Sequence, residues 1–391
     1  MIKVLFISHW YPNRYDNMLG SFVQKHAEAV SLYCEVKVLY IIPDENIDKF
    51  EFTENTKGNL SELLVYFPFN KNNIFYKYSK TINYLKAYWK GIKQIQFDNF
   101  KPDIIHANIL TRTGFIAYLI KRWKGIPYII TEHWTRYLPD RKAFNGLIRK
   151  FITKVIVKNA SAVLPVSIML KKAMLSYNLM NPNYVIVDNV IDPAFFETYP
   201  LTSRTKKRII LVSCFLEEAK NVSGIIRAIA ELSAERADFE LIIIGTGPDF
   251  QQITDLSDQL NLTDTFVRFL GEKTSEEVAE WVYNSDFFVL FSNYETAGIV
   301  IAESLALGKP ILTTKVGIAE DYVNDSNGII IDVLDETALL NKMNYMLDNF
   351  QYYDSDKIRT ELRDKFSYEN IGKQITDIYQ DILKSKHIAN N

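Results

Sequence analysis

Two carboxylates with seven residues between them mark the stretch SNYETAGIVIAESLALGKP, Ser292–Pro310. Glu303 falls within a run of apolar and small residues, Gly298, Ile299, Val300, Ile301, Ala302, Leu305, Ala306 and Leu307, which Gly308 and Pro310 punctuate as a short helix. A helix apolar on nearly every side is buried, and an ionised carboxylate buried without a partner is costly. Glu295 stands just before that helix. Either the protein partners these two groups or a ligand does. Other polar and glycine positions fall at the carboxyl ends of expected strands: Ser8 and His9, His106, His133, Gly245 and Gly247, and Gly271. Several chemistries are excluded. Cys34 and Cys214 show no CxxC or metal-ligand spacing, and no HExxH, GxSxG or Walker loop occurs. The triplet Asp354-Ser355-Asp356 lies in a polar stretch far from these positions, so no metal is expected.

The elements that must position these residues alternate strand and helix. KVLFISH (3–9), EVKVLYII (35–42), DIIHAN (103–108), PYIITEH (127–133), SAVLPVS (161–167) and YVIVDN (184–189) are short, β-branched and nearly all apolar. This is the pattern of parallel strands covered on both faces. Helical segments separate them, among them 20–33 and 144–160. RIILVSCF (208–215), FELIIIGTG (239–247), FVRFLGE (266–272), DFFVLFS (286–292) and KPILTTK (309–315) restart the rhythm. The repeated alternation predicts an α/β protein with two Rossmann-like parallel-sheet domains. The irregular, polar segment around 190–206 separates residues 1–198 from 199–366, and a terminal helix occupies 367–391. Open sheets of this kind bind ligands beyond the carboxyl ends of their strands, so two such domains are expected to face one another across a cleft.

The net charge of −2 conceals an uneven distribution: residues 1–190 hold 26 Lys+Arg against 14 Asp+Glu. Two readings stand. The basic half meets a surface or polyanion, or the two halves attract each other. Two cysteines fit a reducing compartment, and no run reaches the ~18 apolar residues of a membrane span. A cytoplasmic protein is expected.

ETAGIVIAE followed by GKP resembles the retaining nucleotide-sugar glycosyltransferases of the GT-B fold, family 4. The resemblance runs along the whole chain through DIIHAN, ITEHW, AKN, IIIGTGP, VRFLG and the terminal FSYENIGKQITDIYQDILK. It implies an N-terminal acceptor-side domain and a C-terminal domain that binds the nucleotide sugar. It implies that Glu303 accepts hydrogen bonds from ribose hydroxyls and that Glu295 orients the transferred sugar and stabilises charge at the anomeric carbon. Gly298 and Ile299 would offer helix-terminal amides to the diphosphate, and Lys220 would neutralise it. Gly245 and Gly247 would line the nucleotide turn, with Phe269 near the nucleobase. In the first domain, Gly20 and Ser21 resemble a glycine loop over the donor phosphates, and His133 takes the place of a histidine that reaches the donor sugar. His106 is the weaker candidate of the two, and His26 is read as structural. One departure stands out: many members carry an arginine about five residues before the lysine, and here that position is Phe215.

The implied reaction is metal-independent retaining transfer from a nucleotide-diphosphate sugar to a hydroxyl acceptor. The acceptor would be a glycan or lipid-linked intermediate of cell-surface polysaccharide or lipopolysaccharide assembly. No cofactor and no nucleic-acid partner is expected. Basic segments 70–93 and 141–158 mix Lys and Arg with aromatic and aliphatic residues. They read as peripheral membrane contacts or as solvated helix faces. Two rivals remain: a non-catalytic nucleotide-sugar-binding scaffold, favoured by Phe215, and a sugar-nucleotide epimerase on the same fold.

Overall fold

The computed structural model describes residues 1–69 and 76–390. They form two compact units: Met1–Val166, Lys171–Val190 and Tyr368–Asn391 in the first, Ser167–Leu170 and Ile191–Ser367 in the second.

The first unit is built on β1 (Lys3–Ser8), β2 (Glu35–Asp44), β3 (Glu51–Lys57), β4 (Leu60–Pro68), β5 (Ile104–Asn108), β6 (Tyr128–Glu132) and β7 (Ala162–Pro165), in the order β3-β4-β2-β1-β5-β6-β7. All neighbours run parallel except β3, which folds back antiparallel on β4. Strands β5, β6 and β7 are buried at every residue, as their unbroken apolar runs require. The principal helices are α1 (Ser21–Ser31), α2 (Tyr76–Phe97), α3 (Leu110–Lys124) and α4 (Leu147–Asn159). The C-terminal helix, Tyr368–Asn390, contributes Ile371, Ile375 and Tyr379 to this unit's core. It can lie against α1 because residue 372 is glycine: a Cβ there would stand 2.1 Å from the Ala29 carbonyl oxygen.

Five local features differ from the sequence reading, two of them being strands it did not list, β4 and the second unit's Gly328–Ile331. YVIVDN forms no strand, only an extended segment bridged to β7 at Tyr184. Strand β3 was not expected because every residue of EFTENTK is exposed, leaving no apolar pattern to read. His106 lies in the middle of β5 and not at its end. Of the basic segment 70–93, residues 70–75 lie outside the described residues.

The second unit is a fully parallel sheet of β8 (Lys207–Val212), β9 (Phe239–Ile244), β10 (Val267–Phe269), β11 (Phe287–Leu290), β12 (Ile311–Thr314) and β13 (Gly328–Ile331), ordered β10-β9-β8-β11-β12-β13. Its strands end earlier than their apolar runs, which leaves the candidate residues in the loops that follow. Three helices concern the site: α5 (Glu217–Lys220), α6 (Val222–Glu235) and α7 (Ile299–Ala306).

Candidate active site

In the second unit, the loop between β11 and α7 is tied down along its length. Thr314 Oγ1, at the end of β12, donates to the Ser292 carbonyl at 2.6 Å. The Asn293 amide donates to the Ala219 carbonyl at 2.7 Å, and Ser167 Oγ donates to the Thr296 carbonyl at 2.6 Å. The Ile318 amide donates to the Ala297 carbonyl at 2.8 Å. Gly317 makes this last approach feasible, since a Cβ there would lie 2.2 Å from the Ala297 oxygen.

Glu295, held in this loop, accepts a hydrogen bond from Ser292 Oγ at 3.0 Å and forms an ion pair with Lys220 Nζ. Both side chains are largely withdrawn from water, at 18% exposure for Lys220 and 12% for Glu295. Burial pulls the Lys220 ammonium toward neutrality, but the adjacent Glu295 carboxylate outweighs it, and the amine stays above its ordinary pKa. Three residues later the chain turns into α7 through Gly298 at φ +68°. Ile299 is therefore the first helical residue, and the first-turn amides of α7 follow directly on the ion pair in the chain. Glu303 lies mid-helix and half-buried.

Gly245 and Gly247 have a steric reason for their identity. A Cβ on Gly245 would lie 1.9 Å from the Ser213 carbonyl oxygen, and one on Gly247 would lie 2.5 Å from that of Phe215. The turn after β9 thus lies directly on the turn after β8. Phe215 itself is fully buried, stacked on Phe250 at 5.4 Å and set edge-on to Phe269 at 6.4 Å. Glu217, whose charge stood near Lys220 in the sequence, points elsewhere. Its carboxylate accepts from the Val222 amide at 3.0 Å and the Ser223 amide at 3.2 Å, capping α6. Asp354 likewise caps a helix, accepting from the Lys357 amide at 3.0 Å.

In the first unit, Gly20 opens α1 at φ +68°, and a Cβ there would meet the Trp10 carbonyl group at 2.4 Å. His133 follows β6 and is buried against Phe22, ring centroids 4.5 Å apart, and His26 at 5.5 Å. Neither ring nitrogen is hydrogen-bonded, and the neighbouring Asn189 Oδ1 is also unsatisfied, their contact being too loose to count as a hydrogen bond. Burial, reinforced by His26 and His106, holds the His133 pKa well below the usual histidine value. His106 is different. Its Nδ1 meets Tyr379 Oη at 2.5 Å and its Nε2 meets Thr131 Oγ1 at 2.6 Å, so it joins the C-terminal helix to the sheet. Both its nitrogens are used within the fold.

Sequence reasoning missed Glu132, at the end of β6. One carboxylate oxygen accepts from the Leu110 amide at 2.9 Å, the other from the His133 and Trp134 amides at 2.9 and 2.8 Å. It thereby anchors the start of α3 beside Ile109, a β-branched residue at φ +68°. Its position in TEHW was the available signal: a carboxylate closing a wholly buried strand must have local donors.

Two family models cover most of the chain. Residues 32–195 match "Glycosyltransferase Family 4" and residues 197–370 match "Glycosyl transferases group 1". The chain belongs to the family 4/group 1 glycosyltransferases. Among relatives of this glycosyltransferase is the N-acetyl-α-D-glucosaminyl L-malate synthase of Bacillus anthracis, 29% identical over 72% of this chain and 75% of the relative. Another is a Campylobacter jejuni enzyme named as an N-acetylgalactosaminyltransferase acting on N-acetylgalactosamine-N,N'-diacetylbacillosaminyl-diphospho-undecaprenol. It is 25% identical over 70% of this chain and 74% of its own length. In structure, the Anabaena protein Alr3699/HepE, solved in complex with UDP, superposes with a TM-score of 0.73 at 15% identity, over 97% of this chain and all of that one. Within this glycosyltransferase, the phenylalanine at position 215 is part of an aromatic core.

Proposed function

We propose that this glycosyltransferase moves a sugar, with retention of configuration, from a nucleotide-diphosphate sugar to a hydroxyl group. The observation that carries the reading is the Lys220–Glu295 ion pair, set just before the helix that opens at Gly298. Lys220 and the first amides of α7 meet the diphosphate, a placement of positive charge where negative charge develops. Glu295 turns its carboxylate to the sugar, orienting its hydroxyls and stabilising positive charge at the anomeric carbon. The bond from that carbon to the diphosphate breaks, the bond to the acceptor oxygen forms on the same face, and the acceptor proton passes to the departing diphosphate. No side-chain nucleophile is required. The charge on the diphosphate is met by Lys220 and the amides, so the reading requires no metal. Glu303 takes the ribose hydroxyls, Gly245 and Gly247 let the nucleotide turn close on the sheet, and Phe269 stands beside the base. In the first unit, the Gly20 loop and the unsatisfied His133 serve the sugar side.

A lipid-linked acceptor, of the kind named for the Campylobacter relative, is supported by the outer helices of the first unit. Leu147 is 87% exposed and Phe151 69% on α4, where Arg149, Lys150 and Lys154 interleave, and Trp123 is 85% exposed on α3. Apolar side chains framed by cations suit an anionic membrane surface. Among the described residues no helix is long and apolar enough to cross a membrane.

A thermal-shift screen of nucleotide diphosphates and their sugars tests the donor site. A ligand at a hundred times its dissociation constant stabilises by about 2.7 kcal/mol. The reading expects one nucleotide to do so in the native chain and to lose the effect in Glu303→Ala. No response to any nucleotide would favour the scaffold. Conversion of the donor without an acceptor would indicate the epimerase.

A further inference from the structure

The second unit carries a charged cavity at the opposite end of its sheet from the site just described. Asp286 directly precedes β11, and Lys309 and Pro310 directly precede β12. These residues therefore stand at the amino ends of strands whose carboxyl ends lead toward Ser292 and Thr314. The cavity measures about 340 Å³ and is walled by residues from 201–204, 283–286, 309–310 and 350–355, a size at the lower end for small-molecule pockets. Its walls are fixed. The Thr202 amide and hydroxyl both donate to Asn284 Oδ1, at 2.8 and 3.1 Å, and Asn284 Nδ2 donates to the Pro200 and Glu280 carbonyls, each at 3.1 Å. Gly308 lets the 350–355 wall close on the end of α7, since a Cβ there would lie 2.5 Å from the Ser355 carbonyl oxygen.

Positive charge is in excess here. Arg204 pairs with Asp286 at two points, Nη1 to Oδ2 at 2.6 Å and Nη2 to Oδ1 at 2.5 Å. The Arg208 amide also donates to Asp286 Oδ2 at 2.7 Å, so this carboxylate is already matched. Lys309 and Arg359 both lie over the Tyr283 ring, the ammonium at 5.1 Å and the guanidinium carbon at 5.4 Å from its centre. Among the described residues neither forms an ion pair, and Lys309 Nζ has no hydrogen bond. Arg359 Nε is buried without a hydrogen-bond partner. Burial lowers the Lys309 pKa to about 8; Asp286 opposes that shift, and Arg204 and Arg359 add to it. The ammonium is thus still mostly charged at pH 7, in surroundings that disfavour its charge.

Of the charges that act on Lys309, two are guanidiniums and one is a carboxylate. With Lys309 itself, cations exceed carboxylates by two, and a phosphomonoester carries about −1.5 to −2 at pH 7. The negative end of α7 accounts for one cation at most, and Arg359 takes that place, its Nη2 facing the Leu307 carbonyl at 3.5 Å. That leaves Lys309 and the cavity unexplained. We propose that this cavity binds a phosphate group, held by Lys309 and Arg204, with the Tyr283, Phe350 and Tyr353 rings beside whatever carries it. Two of the five N–H groups of Arg204 go to Asp286, which leaves three for phosphate oxygens. Lys220, Glu295 and Gly298 are not among the walls, so the site stands apart from the transfer reading.

The test is a phosphorus NMR titration at pH 7 and fixed ionic strength. Phenyl phosphate and inorganic phosphate are each titrated against the full chain, Lys309→Gln, Asp286→Asn and Lys220→Gln. Lys309→Gln should weaken binding about tenfold or more and keep the native melting temperature, since it removes an ammonium that has no ion pair. Asp286→Asn should tighten binding about threefold or more, because it removes the opposing charge and frees Arg204. Lys220→Gln should bind as the native chain does. Tighter phenyl phosphate points to a phosphorylated metabolite that uses the aromatic wall, and equal or tighter inorganic phosphate points to the free ion. The proposal is overturned if neither probe binds the native chain, or if Lys309→Gln binds both as the native chain does. Weaker binding in Asp286→Asn would overturn it too, as would a loss confined to Lys220→Gln, which would place the phosphate in the donor site.

Discussion

The two units handle charge at the carboxyl ends of their strands in opposite ways. In the second unit, Lys220 and Glu295 neutralise each other, Ser292 completes the carboxylate's contacts, and Glu217 caps a helix. In the first unit, Arg136 feels the attraction of Glu132 against the repulsion of Arg149 and Arg112, and the His133 imidazole is buried with neither nitrogen bonded. An internally satisfied site is already built before any ligand arrives. Its ligand must displace an existing partner, as a diphosphate would take Lys220 from Glu295. A site with unmatched charge awaits a partner of opposite sign. The contrast fits a donor site of fixed geometry.

The largest expected effect breaks the satisfied side. Lys220→Gln removes the cation opposite the leaving diphosphate and should lower kcat by about 10²- to 10³-fold, the cost of losing one preorganised donor. Turnover of the nucleotide sugar found in the screen measures it. A kcat within a factor of three of the native value would contradict the role.

Next comes the backbone that fixes the satisfied side. Gly245→Ala forces a methyl group 1.9 Å from the Ser213 oxygen at φ +129° and should cost about 3 kcal/mol, through strain and overlap together. Gly271→Ala, also at positive φ but with nothing within 4 Å, should cost about 1 kcal/mol. Urea midpoints of the two variants compare them, and equal losses would show that the close approach is unimportant.

Acid should separate the units. All five histidines lie in the first unit, and burial holds His9 and His26 at about 4. Folded, these two stay neutral down to that pH, whereas in the unfolded chain they protonate below about 6.5. The stability they contribute is complete above pH 6.5 and is lost as pH falls toward 4. At pH 5.5 the loss is about 2 kcal/mol for the pair. Pulse proteolysis in urea at pH 7 and 5.5 should show fragments of the first unit appearing at lower urea at the lower pH, with the second unit unmoved. Equal shifts in both would refute the assignment.

The smallest effect concerns the outer face of α4. Phe151→Ser, at an exposed position, should leave stability within about 0.5 kcal/mol while lowering partition onto anionic vesicles about tenfold. Unchanged partition would remove the membrane from the account.

Much of this was legible from the sequence because the informative residues obey local rules. Most central strands of both sheets announce themselves by apolar runs such as FELIII and KVLFIS, whereas β3, β4 and β13 were not read, and Gly298 and Gly308 bracket α7. Lys220 and Glu295, 75 residues apart, could be placed together only through the family pattern, since nothing local links them. Phe215 looked like a lost cation, but its ring belongs to a stack with Phe250 and Phe269 that only folding assembles. His106 looked like a strand-end candidate because its partner, Tyr379, lies 273 residues away. The nearness of Arg136 to Thr111 was invisible for the same reason: the two lie in successive connections, β6–β7 and β5–β6, and the arginine alone reads as a solvated charge.

The central claim is that the Lys220–Glu295 pair holds the donor. Titration calorimetry of the selected nucleotide-diphosphate sugar into the native chain, Lys220→Gln and Arg136→Gln tests it most directly. The account predicts a loss of about 10- to 100-fold in affinity for Lys220→Gln and none for Arg136→Gln. Native affinity in Lys220→Gln, or an equal loss in Arg136→Gln, would contradict it.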